Sequence, residues 1–360
     1  MDRRQFVTRA GLGLASGTAV ATGLAAPAIA QGKIEWRMQM TWAKNSPLLA
    51  TGPEIVADFI SKASGGRMSV KLYAAGEIVP PFQVLDAVAD GTLEMGHGYP
   101  AYWAGKLPAM QFFTPMPFGF TTQEQNAWFS YGGGQELADE VYGKLGVKFF
   151  PSGNTSVQAA GWFNKELNSI EDYKGLKVRS GGLGAKVLTE VGATPVQMPL
   201  GEVPQGLQSG AIDGADFVGP MNDMAFGLHK VAKYYYWPGW MEPCGVLDCM
   251  INPAAWDSLP DDLKEIVRGA NVMANQIVLN EFVAKNGQAI AQMRAEGVDV
   301  RTLSDDIMAK LAEVSSGVVQ SVADSDPLAT KVYASIQDFM KIIKPYTAIS
   351  EGAYIAARPV

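Results

Sequence analysis

Along most of the chain, short β-like runs alternate with helix-like stretches, and this alternation limits the fold more than any other feature. Ile34–Met40 reads as a strand, followed by a helix that begins near Pro53. Met68–Tyr73 is the next strand, Pro81–Ala89 a helix and Leu93–Gly98 a strand. After the turn cluster Gly132-Gly133-Gly134, strands are expected at 147–151, 159–163, 176–179, 195–198, 211–218, 234–237 and 246–251. Helices at 184–191 and 202–209 fall between them. Strands separated by helices pair in βαβ units, which predicts parallel sheets covered by helices. From Pro260 the character changes to mostly helical. Leu263, Ile266, Ala270, Met273 and Ile277 fall three or four apart and predict one apolar stripe. A strand at 298–303 and helices near Asp305–Val322 and Asp326–Ile343 follow, with Pro327 in the first turn of the last. The fold class is α/β, as two lobes with a helical C-terminal part. In such a chain a ligand sits in the crevice at the carboxyl ends of the strands.

The N-terminus carries a different signal. Asp2-Arg3-Arg4-Gln5-Phe6 precedes an apolar run, about Ala10 to Ala26, that ends in Ala28-Ile29-Ala30. Charge, apolar run and small-residue exit are the order of a cleavable signal peptide, here of twin-arginine type. The alternative is a transmembrane anchor, but the run is barely long enough and is weakened by Gly, Ala and Thr. Residues 1–30 are therefore expected to be removed on export to the periplasm, leaving a mature chain that begins near Gln31. They carry Arg3, Arg4 and Arg9 against Asp2, so their removal takes the formal charge from −7 to −9. An acidic chain without a basic run is a poor partner for nucleic acid, and none is expected. An anionic ligand would have to meet a local positive group.

The two cysteines, Cys244 and Cys249, flank a run that looks like a strand. Five residues of strand span roughly 16 Å, too far for a disulfide, so two buried thiols are expected unless a turn intervenes. With only His97 and His229 available, a His-rich metal site or a Ser-His-Asp triad is poorly supplied. Ser156 lacks a G-x-S-x-G setting, and Gly182-Leu183-Gly184 does not complete a dinucleotide-binding loop.

The residues placed to do chemistry lie at strand ends. Arg179 ends the apolar strand 176–179, ahead of Gly181, Gly182 and Gly184 and a helix start. A guanidinium there offers a planar fork to a carboxylate, or makes a surface salt bridge. Asn154 and Gln158 sit in the polar loop 153–158, where turn chemistry is the plainer reading. Asp216 and Phe217 end the strand 211–218, and an acid at the end of a buried strand needs a partner. Asn222 and Asp223 can cap the helix that follows. Tyr234 to Trp240 form an aromatic cluster with Glu242 just beyond. Trp42 and the stretch Tyr99–Trp103, including Tyr102, offer further walls or plain packing.

Together these residues resemble the solute-binding proteins of tripartite ATP-independent periplasmic (TRAP) transporters over essentially the whole mature chain. The most diagnostic stretch is Asp172-Tyr173-Lys174-Gly175-Leu176-Lys177-Val178-Arg179. The segment from Gly201-Glu202-Val203 to Gly210-Ala211-Ile212-Asp213-Gly214 matches the family's next one. Gly153-Asn154-Thr155, Gly161-Trp162-Phe163 and Tyr235-Tyr236-Trp237-Pro238-Gly239-Trp240 resemble its 2-oxo-acid-binding subgroup. The resemblance implies a two-lobed periplasmic-binding-protein fold with hinge strands: lobe 1 at 31–157, completed by about 246–305, lobe 2 at 158–245, and a C-terminal helical segment at 306–360. It implies no enzyme activity, but capture of a small organic acid anion, a 2-oxo or 2-hydroxy monocarboxylate such as pyruvate or lactate, for the membrane permease subunits of a TRAP transporter. The ligand would meet Arg179, Gln158, Asn154, Tyr102 and Trp42. A sodium or calcium ion would bridge ligand and protein through Gln158, Asp216, the carbonyl of Phe217 and Glu242. One departure stands out: the subgroup pattern is Glu-Trp where this chain has Asp216-Phe217. The subgroup also implies a homodimer that exchanges the C-terminal helix, whose Val332, Ile336, Phe339, Met340 and Ile343 make an apolar stripe; the alternative packs that stripe on its own body. Two other functions stay open on the residues: a periplasmic enzyme exported by the twin-arginine route, and a ligand-presenting protein for a sensor kinase.

Overall fold

The computed structural model describes residues 32–359, and the leader expected at 1–30 lies outside them. Among the described residues there are eleven strands: β1 (Ile34–Met40), β2 (Met68–Tyr73), β3 (Met95–Gly98), β4 (Lys148–Asn154), β5 (Gly161–Phe163), β6 (Lys177–Arg179), β7 (Thr194–Val196), β8 (Gly214–Ala215), β9 (Tyr234–Trp237), β10 (Val246–Ile251) and β11 (Asp299–Thr302). They form two sheets, ordered β2-β1-β3-β10-β4 and β11-β9-β5-β8-β6-β7. In β1, Trp36, Met38 and Met40 are buried at every second position, the period of a strand. In β10 all six residues are buried; Asp248 is the one charged residue among them, and its Oδ2 accepts from Trp103 Nε1 and Tyr142 Oη.

The sheets are mixed rather than parallel. β1, β2 and β3 run parallel, but β10 is antiparallel to both β3 and β4. β5 is antiparallel to β8 and β9. The cause lies in the connections. The links from β4 to β5 (155–160) and from β9 to β10 (238–245) carry no covering helix and pass the chain from one sheet to the other. A parallel crossover needs a dozen or more residues. β11 pairs with β9 in the second sheet, so the stretch 246–305 expected to complete lobe 1 divides between the sheets. The strand expected at 211–218 shrinks to β8, because Asp216 to Gly219 turn out of the sheet toward the helix Pro220–Ala225.

The helix Asp261–Ala295 has 35 residues and at 1.5 Å per residue is about 52 Å long. Its first half packs Leu263, Val267, Ala270 and Ala274 with Trp36, Met38 and Ile251 of the first sheet. Its second half packs Val278, Phe282 and Met293 with Trp162 and Tyr235 of the second. The stripe expected here is displaced: Ala270 and Leu263 belong to it, but Ile266 and Met273 are half-buried and Ile277 is exposed. The last long helix, Pro327–Thr347, is capped by Asp326, whose Oδ1 accepts from the backbone of Leu328 (3.0 Å) and Ala329 (2.9 Å). Its Val332 and Ile336 are buried, and Phe339, Met340 and Ile343 pack on the same cluster as Phe112, Phe120 and Trp128. That stripe is covered by the protein's own body.

Candidate functional site

The two links between the sheets run side by side. Thr155 N donates to the Gly245 carbonyl (2.9 Å) and Gln158 N to the Glu242 carbonyl (3.1 Å). Asn154 ties them further: its Oδ1 accepts from Ser156 N (2.9 Å) and Gly245 N (3.2 Å). Against this double strip of backbone lies a small cavity. Gln158, Thr155, Arg179 and Glu242 give it polar walls, Trp42, Tyr99, Tyr102 and Phe217 aromatic ones, and Leu49, Leu200, Val218 and Leu247 aliphatic ones. Its volume is about 30 Å³, a space for a few atoms rather than for a sugar or a peptide.

Arg179, the last residue of β6, is 7% exposed. Its Nη1 donates to the Asp216 carbonyl (2.8 Å) and its Nε to the Met198 carbonyl (3.4 Å). Nη1 also lies 3.8 Å from Asp216 Oδ2. Burial raises the Asp216 carboxyl to about 6, against the pull of Arg179. Burial also holds Glu242 well above the usual carboxylate range; Asp216 adds to this and Arg179 opposes it. One guanidinium thus serves two buried carboxyls. Four buried polar atoms here have no protein partner among the described residues: Trp42 Nε1, Tyr99 Oη, Gln158 Oε1 and Asp216 Oδ1. A buried polar atom left unpaired is costly, and Gln158 Oε1 and Asp216 Oδ1 are both oxygen acceptors of the kind a hard cation takes. Among the described residues no cluster of three or more His, Cys, Asp and Glu occurs, so a cation here would draw on amide and carbonyl oxygens as well.

Of the residues singled out in the sequence, Trp42, Tyr102, Gln158, Arg179, Phe217 and Glu242 line one cavity. Asp216 stands directly behind Phe217, against Arg179. Asn154 is fully buried outside the lining and organises the loop instead. Asp223 lies inside the helix Pro220–Ala225 rather than at its N-cap, which is Gly219; its Oδ1 accepts from Gly219 N (2.9 Å) and its Oδ2 from Trp162 Nε1 (2.8 Å). His97 is buried and neutral, its pKa pushed down to about 3 by burial, and its ring meets Trp42 edge-on at 5.2 Å. Cys244 and Cys249 are buried free thiols. Sequence reasoning missed Leu49, Thr155, Leu200, Val218 and Leu247. The aliphatic residues carry no chemical signature, and Thr155 was one polar residue among several in its loop.

Residues 38–326 match the family model described as bacterial extracellular solute-binding protein, family 7. A monocarboxylate 2-oxoacid-binding periplasmic protein from Nostoc sp. (strain PCC 7120) is 38% identical over 357 residues, 98% of each chain. A TRAP periplasmic solute-binding protein from Pseudoalteromonas atlantica, solved with bound sodium and pyruvate, superimposes with a TM-score of 0.88 at 35% identity; the match covers 91% of this chain and 100% of that one. Another from Bordetella bronchiseptica, a dimer with copurified calcium and picolinate, matches at 0.88 and 30% identity over 90% of this chain and 97% of that one. The two-sheet α/β fold is that of these two-lobed proteins, and the chain belongs to the family-7 bacterial extracellular solute-binding proteins, a class of transport proteins rather than of enzymes.

Proposed function

We propose that the protein captures a small 2-oxo or 2-hydroxy monocarboxylate, of the pyruvate or lactate kind, in the periplasm and delivers it to the permease subunits of a TRAP transporter. The observation that carries this is the small cavity in which Arg179 faces two buried carboxyls, Asp216 and Glu242, among largely apolar walls. Arg179 takes the ligand carboxylate on its planar fork. Leu49, Leu200, Val218 and Leu247 receive its apolar end, and among the described residues no second cation lines the cavity to pair the far carboxylate of a dicarboxylic acid. An anion entering beside Asp216 and Glu242 brings a third carboxyl group to one arginine, and a bound sodium or calcium ion would supply the positive charge that lets the buried carboxyls ionise, as a bridge between ligand and protein. Gln158 Oε1, the Asp216 carboxylate, the Phe217 carbonyl and Glu242 would hold it; the unpaired Gln158 Oε1 and Asp216 Oδ1 fit that role. Aspartate is one methylene shorter than the glutamate of the subgroup pattern, so its carboxylate stays closer to its own backbone. The Nostoc relative and the pyruvate- and picolinate-bearing structures support this reading.

In the same reading, the lobes built on the two sheets close over the ligand, with the links 155–160 and 238–245 as the hinge. The mature chain associates as a homodimer through its C-terminal end. There Ile342, Tyr346, Ile349, Tyr354 and Ile355 stand exposed beyond the stripe that the helix buries on its own body, and the Bordetella relative is a dimer. Mass spectrometry of ligand released from the purified protein, with metal analysis of the same sample, tests the function. A short 2-oxo or 2-hydroxy acid with sodium or calcium is expected. A sugar, an amine or a dicarboxylate would overturn the reading.

A further inference from the structure

Among the described residues Gln158 is the one side-chain amide that lines the cavity, and its two ends are not equivalent. Nε2 donates to Thr155 Oγ1 at 3.0 Å, both groups buried, while Oε1 is buried without a partner. The Thr155 hydroxyl hydrogen is itself spent, on the Ser156 carbonyl at 3.2 Å. The oxygen of Thr155 therefore turns a lone pair toward Gln158, and only an N–H can meet it. An amide flipped by 180° would set oxygen against oxygen.

The loop makes this arrangement stiff. Ser156 holds a left-handed backbone, with φ of 62°, a conformation that non-glycine residues adopt at a cost. Asn154 Oδ1 secures it by accepting from Ser156 N. Thr155 is pressed from behind by Gly245: a β-carbon there would lie 2.0 Å from Thr155 Oγ1 and 2.8 Å from Gln158 Nε2. Gly239 presses the other side, where a β-carbon would lie 2.0 Å from the Gln158 carbonyl oxygen. Gly245 thus makes room for the Thr155 hydroxyl and the Gln158 amide, and Gly239 for the Gln158 backbone carbonyl.

We infer that Thr155 is a positioning residue for the cation: by taking the Nε2 end of Gln158, it fixes the Oε1 end toward the metal. The inference rests on the cation reading above. A residue that orients a metal ligand through its far side typically contributes 10- to 100-fold in metal affinity.

The test is calorimetric titration of the purified protein, stripped of metal, with calcium and then with pyruvate at fixed calcium. Thr155→Val keeps the shape and removes the acceptor; calcium affinity is expected to fall 10- to 100-fold. Pyruvate affinity should fall with it and return as calcium is raised by the same factor, because the pocket itself is intact. Thr155→Ser keeps the hydroxyl and is expected to bind as the wild type does. Should Thr155→Val not fold, Thr155→Ala carries the same expectation. Unchanged calcium affinity in the Val or Ala variant would overturn the inference, as would a loss of pyruvate binding that calcium does not restore, or a loss in Thr155→Ser equal to that in the Val variant. If the wild type binds pyruvate equally well without sodium or calcium, the cation reading fails first; a cation-dependent wild type with an unaffected Val variant refutes the role of Thr155 alone.

Discussion

Two backbone carbonyls, those of Met198 and Asp216, aim the Arg179 guanidinium before any ligand arrives. Its loss should be felt in affinity rather than in fold. Arg179→Ala leaves a carboxylate in a closed cleft without its charged donor, which costs roughly 2–5 kcal/mol, about 30-fold or more in affinity. Lys should restore part of this, since it carries the charge without the fork. Calorimetry with pyruvate decides, and wild-type affinity in the Ala variant would refute the anchor. With Asp216 as a cation ligand, cation binding should be sensitive to acid. Its carboxyl titrates near 6 when folded and near 3.8 when unfolded, so the empty protein binds more protons folded and gains stability as pH falls through 6. Cation affinity moves the other way, because proton and metal compete for the carboxylate, by up to about tenfold per pH unit below 6. The gap in melting temperature between the empty form and the form with calcium and pyruvate should therefore narrow from pH 7.5 to pH 5; a gap that widens argues against Asp216 as a ligand. Arg179 and Asp216 were picked out as charged residues at the ends of apolar strands, whereas Gln158 and Glu242 were drawn to the site by the family resemblance. Leu49, Leu200 and Leu247 were not legible, because an aliphatic side chain in a binding wall is indistinguishable, in sequence, from one in a core.

The helix Asp261–Ala295 illustrates what periodicity records and what it omits. A spacing of three and four correctly marks one buried face, but the helix serves two cores in succession, and the face shifts as it passes from one to the other. Ile277 was counted inside and is 41% exposed, while its neighbour Val278 is fully buried. Phe282 is the largest side chain that the helix gives to the second core, and its truncation leaves a cavity. Phe282→Ala should cost roughly 3–5 kcal/mol, read as a lowered urea midpoint at unchanged slope; a cost below about 1 kcal/mol would mean that the core collapses around the gap. Strand positions were read well from composition: β1, β2, β9 and β10 fall where expected. Strand direction was not, because an apolar run carries no arrow. The short helix-free links carry the chain into the second sheet at β5 and back into the first at β10.

At the scale of the whole molecule, the C-terminal end divides its apolar residues between two tasks. Val332 and Ile336 are buried in the body of the protein, whereas Ile349, Tyr354 and Ile355 face outward. Removal of residues 348–360 should therefore convert a dimer to a monomer and leave the fold in place. Light scattering with circular dichroism distinguishes the outcomes, and a full-length protein that is monomeric at high concentration excludes the dimer. The strip where links 155–160 and 238–245 lie together has a larger consequence. Thr155, Gln158, Glu242 and Gly245 belong to the segments that must bend if the sheets swing apart. A pull applied far out on either lobe would reach these residues first, as leverage on a pivot. A permease could then unload the acid by prying the halves open, with no group of its own inserted among the side chains that hold the cargo.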